Sequence, residues 1–198
     1  MRVIAGTYRS RILKSLNGPA LRPTSDRLRE TLFDVLGKEV AGSRFLDLFA
    51  GTGAIGIEAL SRGAEETVFV ENHGPAAALI RRNLASLAIQ KGATVLAVDA
   101  LRGIEVLASR NATISGFNYV FLDPPYAAAK QYARVLESLG YRNVLAPGGV
   151  VIAEHRRSFD LPEQAGAFER YRLLQQGDAA LSFYRRAAAA SGRNDAAR

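Results

Sequence analysis

The sequence predicts an α/β fold, a mostly parallel sheet covered by helices and closed by an antiparallel C-terminal hairpin. Three observations carry this. From Phe45 onward, short apolar runs alternate with helical stretches, the pattern of a parallel sheet buried on both faces. The first run leads straight into a glycine-rich turn, Ala50-Gly51-Thr52-Gly53-Ala54-Ile55-Gly56. The last two runs are joined by Gln176-Gly177-Asp178-Ala179, a connection too short for a crossover helix but suited to a hairpin.

Residues 2–14 read as a β-hairpin, with Val3-Ile4 and Ile12-Leu13 flanking Gly6 to Arg11. Asn17-Gly18-Pro19 and Arg22-Pro23 mark a loop over 15–24. A helix follows from Ser25 to Leu36: Ser25 caps it, Leu28, Leu32, Phe33 and Leu36 form its apolar stripe, and Gly37 ends it. Strands are expected over Phe45–Phe49, Thr67–Glu71, Thr94–Val98, Tyr119–Leu122 and Val150–Glu154, then Tyr171–Gln175 and Ala180–Tyr184. Helices are expected to begin near Ala54, Pro75, Ala100 and Ala129. The expected organisation is an N-terminal extension over 1–40 packed on a main domain over 41–186, with an Ala-, Ser- and Arg-rich tail over 187–198.

Composition narrows the function. The 198 residues carry a formal net charge of +7, which favours a polyanionic partner. Only Lys14, Lys38, Lys91 and Lys130 are lysines, and arginine suits bidentate phosphate contacts better. The chain has no cysteine, which excludes disulfides, thiolate metal sites and a cysteine nucleophile. No apolar run is long enough to span a bilayer, and the expected location is the cytoplasm.

The glycine turn follows Phe45-Leu46-Asp47-Leu48-Phe49. Gly51, Gly53 and Gly56 fit the G-x-G-x-x-G pattern between a strand and a helix, and Glu71 ends the next strand 20 residues after Gly51, where an acid binds ribose hydroxyls. A nicotinamide-dependent oxidoreductase shares that much. Asp47, just upstream, is unfavourable beside a pyrophosphate but suits the cationic amino and sulfonium groups of S-adenosylmethionine. Asp99, followed by Ala100, ends the third strand, where an acid accepts from an adenine amino group. These positions all fall on the carboxyl edge of the sheet.

Tyr119-Val120-Phe121-Leu122 ends in Asp123-Pro124-Pro125-Tyr126. Two prolines remove two N–H donors, so carbonyls dominate that corner. The Asp123 carboxylate and the Pro124 carbonyl can together accept both hydrogens of one NH₂ group and turn its lone pair toward a methyl donor, while Tyr126 stacks on the base. Carbon-5 pyrimidine methylation generally needs a cysteine nucleophile, and the chain has none. Both guanine and adenine present an NH₂ group, so the tetrapeptide leaves the base open. Arg9, Arg11, Lys14 and Arg22, near Tyr8, are candidate RNA-backbone contacts. His73 and His155 lack metal-ligand spacing.

With these residues in hand, the chain resembles the bacterial 16S rRNA (guanine-N2)-methyltransferases of the RsmD type. The likeness covers the opening Arg2-Val3-Ile4-Ala5-Gly6, Leu21 to Phe33, Leu46 to Gly53, Glu58 to Gly63 and Asp123 to Tyr126. It implies a class I S-adenosylmethionine-dependent methyltransferase domain of seven strands, with an N-terminal hairpin and helix added. It implies methylation of the 2-amino group of one guanine in 16S rRNA, in the assembled or assembling small subunit, by a monomer without a metal and with S-adenosylhomocysteine as product. Asp47, Phe49, Gly51, Gly53, Glu71, Asn72, Asp99 and Ala100 would hold the cofactor, although Asn72-His73 departs from the pattern expected there. The alternatives are an adenine-N6 methyltransferase of DNA or RNA, the oxidoreductase, and an inactive RNA-binding assembly factor; the intact tetrapeptide speaks against the last.

Overall fold

The computed structural model describes residues 1–15, 25–110, 116–125 and 129–188. Its elements are α1 (Asp26–Leu36), β1 (Arg44–Asp47), α2 (Ala54–Ser61), β2 (Glu66–Val70), α3 (Gly74–Ser86), β3 (Ala93–Leu96), α4 (Ala100–Arg110), β4 (Phe117–Leu122), α5 (Ala129–Tyr141), β5 (Leu145–Arg156), β6 (Gln164–Ala165), β7 (Phe168–Gln176) and β8 (Ala179–Arg186). They form one sheet in the order β3-β2-β1-β4-β5-β8-β7-β6. The pairs from β3 to β5 are parallel, and β5–β8, β8–β7 and β7–β6 are antiparallel. The chain builds β1, β2 and β3 outward in one direction and then returns to place β4 on the other side of β1. That reversal is the switch point beside which open α/β sheets bind ligands.

Strand alternation sorts the core into two layers. Leu46, Leu48, Val68, Val70, Val120, Leu122 and Val151 meet Ile104 and Leu107 of α4 and Val135, Leu136 and Leu139 of α5. On the opposite face, Phe45, Tyr119, Phe121, Val150, Ile152, Leu181 and Phe183 meet Leu28, Leu32, Phe33 and Leu36 of α1. Phe69 joins Ile57 of α2 and Ile80 and Leu84 of α3. Ser25 caps α1 as expected, its hydroxyl accepting from the Leu28 N–H at 3.1 Å.

The N-terminal hairpin is short: one antiparallel bridge, Arg2↔Ile12, with Val3 N–H donating to the Arg11 carbonyl and Leu13 N–H to that of Met1. It is anchored on α2. The N–H groups of Ile4 and Ala5 donate to the two oxygens of the buried Glu58 at 2.8 and 3.0 Å, and Thr7 N–H donates to the Ser61 carbonyl at 2.8 Å. Gly6 (φ +81°) lies so close that a Cβ there would stand 1.8 Å from the Ser61 oxygen. Asn83 of α3 adds a second anchor, its Oδ1 accepting from Lys14 N–H and its Nδ2 donating to the Lys14 and Thr52 carbonyls.

Two features differ from expectation. An eighth strand, the two-residue β6, pairs with β7 across Gly166 (φ +60°); Pro162 just before it reads as loop. Strand β5 starts at Leu145 rather than Val150. Ala146-Pro147-Gly148-Gly149 has turn composition, but Leu145 pairs with Phe117, and a register shift between Phe117 and Tyr119 accommodates the extra residues. The tail over 189–198 lies outside the described residues.

Candidate active site

Strand β1 ends at the switch point in Asp47, which is 2 % exposed. Its Oδ2 accepts from the Gly56 N–H at 3.2 Å. The turn after β1 needs glycine twice for backbone reasons: Gly51 has φ +53° and Gly53 φ +79°. The third glycine serves packing, since a Cβ on Gly56 would lie 2.3 Å from the Phe69 ring. Glu71, just past β2, folds over the turn. One oxygen accepts from Gly51 N–H at 2.7 Å and the other from His73 N–H at 2.8 Å.

These hydrogen bonds separate the two readings of the glycine pattern. In a dinucleotide site the amides of this turn face a pyrophosphate. Here those of Gly51 and Gly56 are engaged by carboxylates, and an added phosphate would face Asp47 and Glu71 directly. The edge suits a cationic ligand.

Phe49, Glu71, Asn72, Asp99 and Ala100 meet around one cavity of about 260 Å³. Leu48, Val70, Val98 and Leu101 give it apolar walls, and Gln131 and Arg134 of α5 complete it. Its apolar walls and acidic rim suit a nucleoside. Asp99 also caps α4, its Oδ1 accepting from Arg102 N–H at 3.1 Å. Asp47, Gly51 and Gly53 do not line this cavity; they flank it along the edge of β1.

Asp123 follows β4 directly, across the switch point from Asp47. It is half-buried, Pro124 is buried and Pro125 is exposed. Tyr126 lies outside the described residues. Burial pushes the Asp47 carboxyl up to about 7; the Gly56 hydrogen bond opposes the rise, and Glu71 and Glu154 add to it. Asp123 is also raised well above the usual carboxylate range, by desolvation first and then by Glu154 and Asp47. Glu154, 4 % exposed on β5, follows Ala153, which pairs with Leu122 just before Asp123; it stands beside these acids, and the sequence reading missed it. The signal was present: Val150-Val151-Ile152-Ala153 ends in an acid, just as the strands before Asp47 and Asp123 do.

Arg9, Arg11 and Lys14 are exposed, but they point to different neighbours. Arg9 joins Arg2, Arg27, Asp26 and Glu30 around a polar hollow against α1. Arg11 reaches the Ser86 carbonyl of α3 at 3.4 Å, and the Lys14 backbone is tied to Asn83. Arg22 lies outside the described residues. Arg29, which carried no clear role in the sequence, is fully buried. It donates to the Arg2 carbonyl at 2.6 Å and to Asp26 at 2.9 Å, and its Nε lies 3.9 Å from Glu58. It falls on the Phe33 and Leu36 side of α1, so its helical spacing was the available sign. His155 is a structural residue: Nδ1 meets the Arg156 carbonyl and Nε2 the Ser182 hydroxyl, each at 2.9 Å.

The family model described as Conserved hypothetical protein 95 matches residues 1–185. The chain belongs to this family. Its relatives include Ribosomal RNA small subunit methyltransferase D of Escherichia coli, 33% identical over 99% of this chain and 94% of that protein. YlbH of Bacillus subtilis, provisionally named an rRNA methyltransferase, is 39% identical over 94% of this chain and 99% of its own. The solved structure of Escherichia coli yhhF, provisionally titled a methyltransferase, superposes with a TM-score of 0.80 at 28% identity, covering 94% and 97% of the two chains. At the level of fold alone, a provisionally named methyltransferase complexed with S-adenosylhomocysteine also matches. Its TM-score is 0.64 at 18% identity, over 80% of this chain and 48% of that one.

Proposed function

We propose that this protein methylates the exocyclic 2-amino group of a guanine in 16S rRNA of the small ribosomal subunit, using S-adenosylmethionine. The observation that carries the reading is the placement of Asp47 and Asp123 on either side of the switch point, with the turn amides of Gly51 and Gly56 engaged by carboxylates. Asp47 and Glu71 hold the cationic amino-acid and ribose side of the cofactor. Phe49, Asn72, Asp99 and Ala100 enclose its adenosine. When bound, S-adenosylmethionine supplies an electrophilic methyl group on a sulfonium.

The rest is positioning. The Asp123 carboxylate and the Pro124 carbonyl accept the two amino hydrogens, which turns the nitrogen lone pair out of conjugation with the ring. As that nitrogen gains positive charge, Asp123 takes the proton that must leave. Tyr126 stacks on the base. Arg9, Arg11, Lys14 and Arg22 contact the RNA backbone, a role supported by the basic balance and by the names of the relatives.

The test is Asp123→Ala, assayed with small subunits from cells lacking the protein. Turnover should be lost while calorimetry shows unchanged S-adenosylmethionine affinity; retained turnover overturns the assignment. Nucleoside mass spectrometry of rRNA from the same cells decides the base: missing N2-methylguanosine supports guanine, and missing N6-methyladenosine replaces it with adenine.

A further inference from the structure

Three carboxylates share one face of the sheet at its carboxyl edge. Asp47 pairs in register with Phe121, and Phe121 with Ile152. Asp123 and Glu154 each stand two residues beyond that row, one just after β4 and the other on β5, next to the paired Leu122 and Ala153. Side chains two apart on a strand share a face, and neighbouring strands lie about 4.8 Å apart. Asp123 and Glu154 are therefore cross-strand neighbours on the side that holds Asp47 and, deeper, the α1 core. Two carboxylates at that spacing in a low-dielectric site do not both ionise near neutral pH.

We propose that Glu154 is a positioning residue for Asp123: in its protonated form it donates a hydrogen bond to one Asp123 oxygen and leaves the other, anionic, to accept from the substrate's amino group. The inference rests on the amine-orienting role of Asp123 set out above. Burial decides which member keeps the proton. Glu154 is 4 % exposed, whereas Asp123 is half-buried. Desolvation first and then the nearby Glu154 and Asp47 carboxylates push Asp123 up, the direction expected where neighbouring carboxylates hold a proton between them. The Tyr132 hydroxyl of α5 donates to the Glu154 backbone carbonyl at 2.6 Å and holds that stretch of β5 in place.

Among the described residues, these ionisable groups lie around the pair. Asp47 stands on β1 with Glu71 beyond it, and His155 follows on β5. Arg29 and Arg62 are engaged with Glu58 between α1 and α2. On β8 the residue paired with Glu154 is the apolar Leu181.

Single-turnover methyl transfer to small subunits lacking the modification, followed from pH 5 to 9, tests the inference. Wild type should give a bell: the acid limb protonates Asp123, and the basic limb ionises Glu154. Glu154→Gln, a permanent donor of similar shape, should keep the neutral-pH rate within about threefold and lose the basic limb. Glu154→Ala should fall about 10–100-fold with cofactor affinity unchanged, the weight of one hydrogen bond to a charged group. A basic limb that persists in Glu154→Gln, or a Glu154→Ala protein as fast as wild type, overturns the proposal. So does a Glu154→Gln protein that binds cofactor and is as slow as Glu154→Ala.

Infrared spectroscopy supplies a readout without turnover. An Asp47→Asn protein at pH 7 should show a protonated-carboxyl band that disappears when Glu154→Gln is added; absence of the band in Asp47→Asn refutes the shared proton. Asp123→Ala separates the two levels. If it stays active, the amine-orienting reading falls and takes this proposal with it. If it is inactive while the Glu154 variants behave like wild type, only the role of Glu154 falls.

Discussion

Replacing Asp47 by Asn should stabilise the protein at alkaline pH. The Asp47 carboxyl is buried, and folding moves it from its ordinary 3.8 to about 7. Between those values the unfolded chain has released a proton that the folded chain still holds. Stability therefore falls as pH rises from about 4 to 7 and stays low above that. The whole shift is about three pH units, and at about 1.4 kcal/mol each it is on the order of 4 kcal/mol. Asparagine keeps an oxygen to accept the Gly56 N–H and carries no charge to desolvate. Its own amide has a burial cost, but that cost does not vary with pH. The quantity to measure is the urea unfolding free energy of Asp47→Asn minus wild type at pH 5 and at pH 8. About two units lie between pH 5 and the folded value, so the difference should grow by on the order of 3 kcal/mol. His155 has the opposite slope: burial lowers it, so its contribution is lost as pH falls. It is present in both proteins and cancels. A difference that stays constant within about 0.5 kcal/mol, or that shrinks toward pH 8, refutes the reasoning. The stabilised variant should also bind S-adenosylmethionine more weakly, because the proposed site sets this charge, costly in the free protein, against the cofactor's cationic side.

The remaining predictions concern packing and RNA. Gly56→Ala should lower the melting temperature despite the better helix propensity of alanine. The new Cβ would lie 2.3 Å from the Phe69 ring and 2.7 Å from Thr67 Cγ2, and overpacking of this kind costs about 1–3 kcal/mol; an unchanged or higher melting temperature contradicts it. Glu58→Ala should cost about 3 kcal/mol or more, because it strands the amides of Ile4 and Ala5 and removes one of the two carboxylates beside the buried Arg29. Amide exchange at Ile4 and Ala5 should accelerate before the sheet does, and uniform exchange across the chain would show that Glu58 does not pin the segment. Reversing Arg9 and Arg11 to Glu should weaken RNA binding and flatten its salt dependence; an unchanged slope assigns both to a solvated face.

Much of this molecule is written locally. The helix of α1 follows from the Ser25 cap and the stripe of Leu28, Leu32, Phe33 and Leu36. The antiparallel finish follows from the turn at Gly177-Asp178. The glycine turn at Gly51 and Gly53, Glu71 just past β2 and Asp123-Pro124-Pro125 just past β4 are placed in the same local way, because short-range geometry decides strand ends, turns and caps. What pattern alone did not decide depends on residues far apart in the chain. Strand β6 exists because β7 offers it an edge, and β5 begins early because Leu145 finds Phe117. Arg29 is buried because Glu58, 29 positions later, and the Arg2 carbonyl meet it. Glu154 becomes part of the site because the sheet order sets β5 beside β4, which sets β1 within reach. A carboxylate's chemistry depends on its solvation and on the charges around it. Which acids end the strands is legible in the order of residues; which of them share a face and act on one another follows from how the strands are arranged in the sheet.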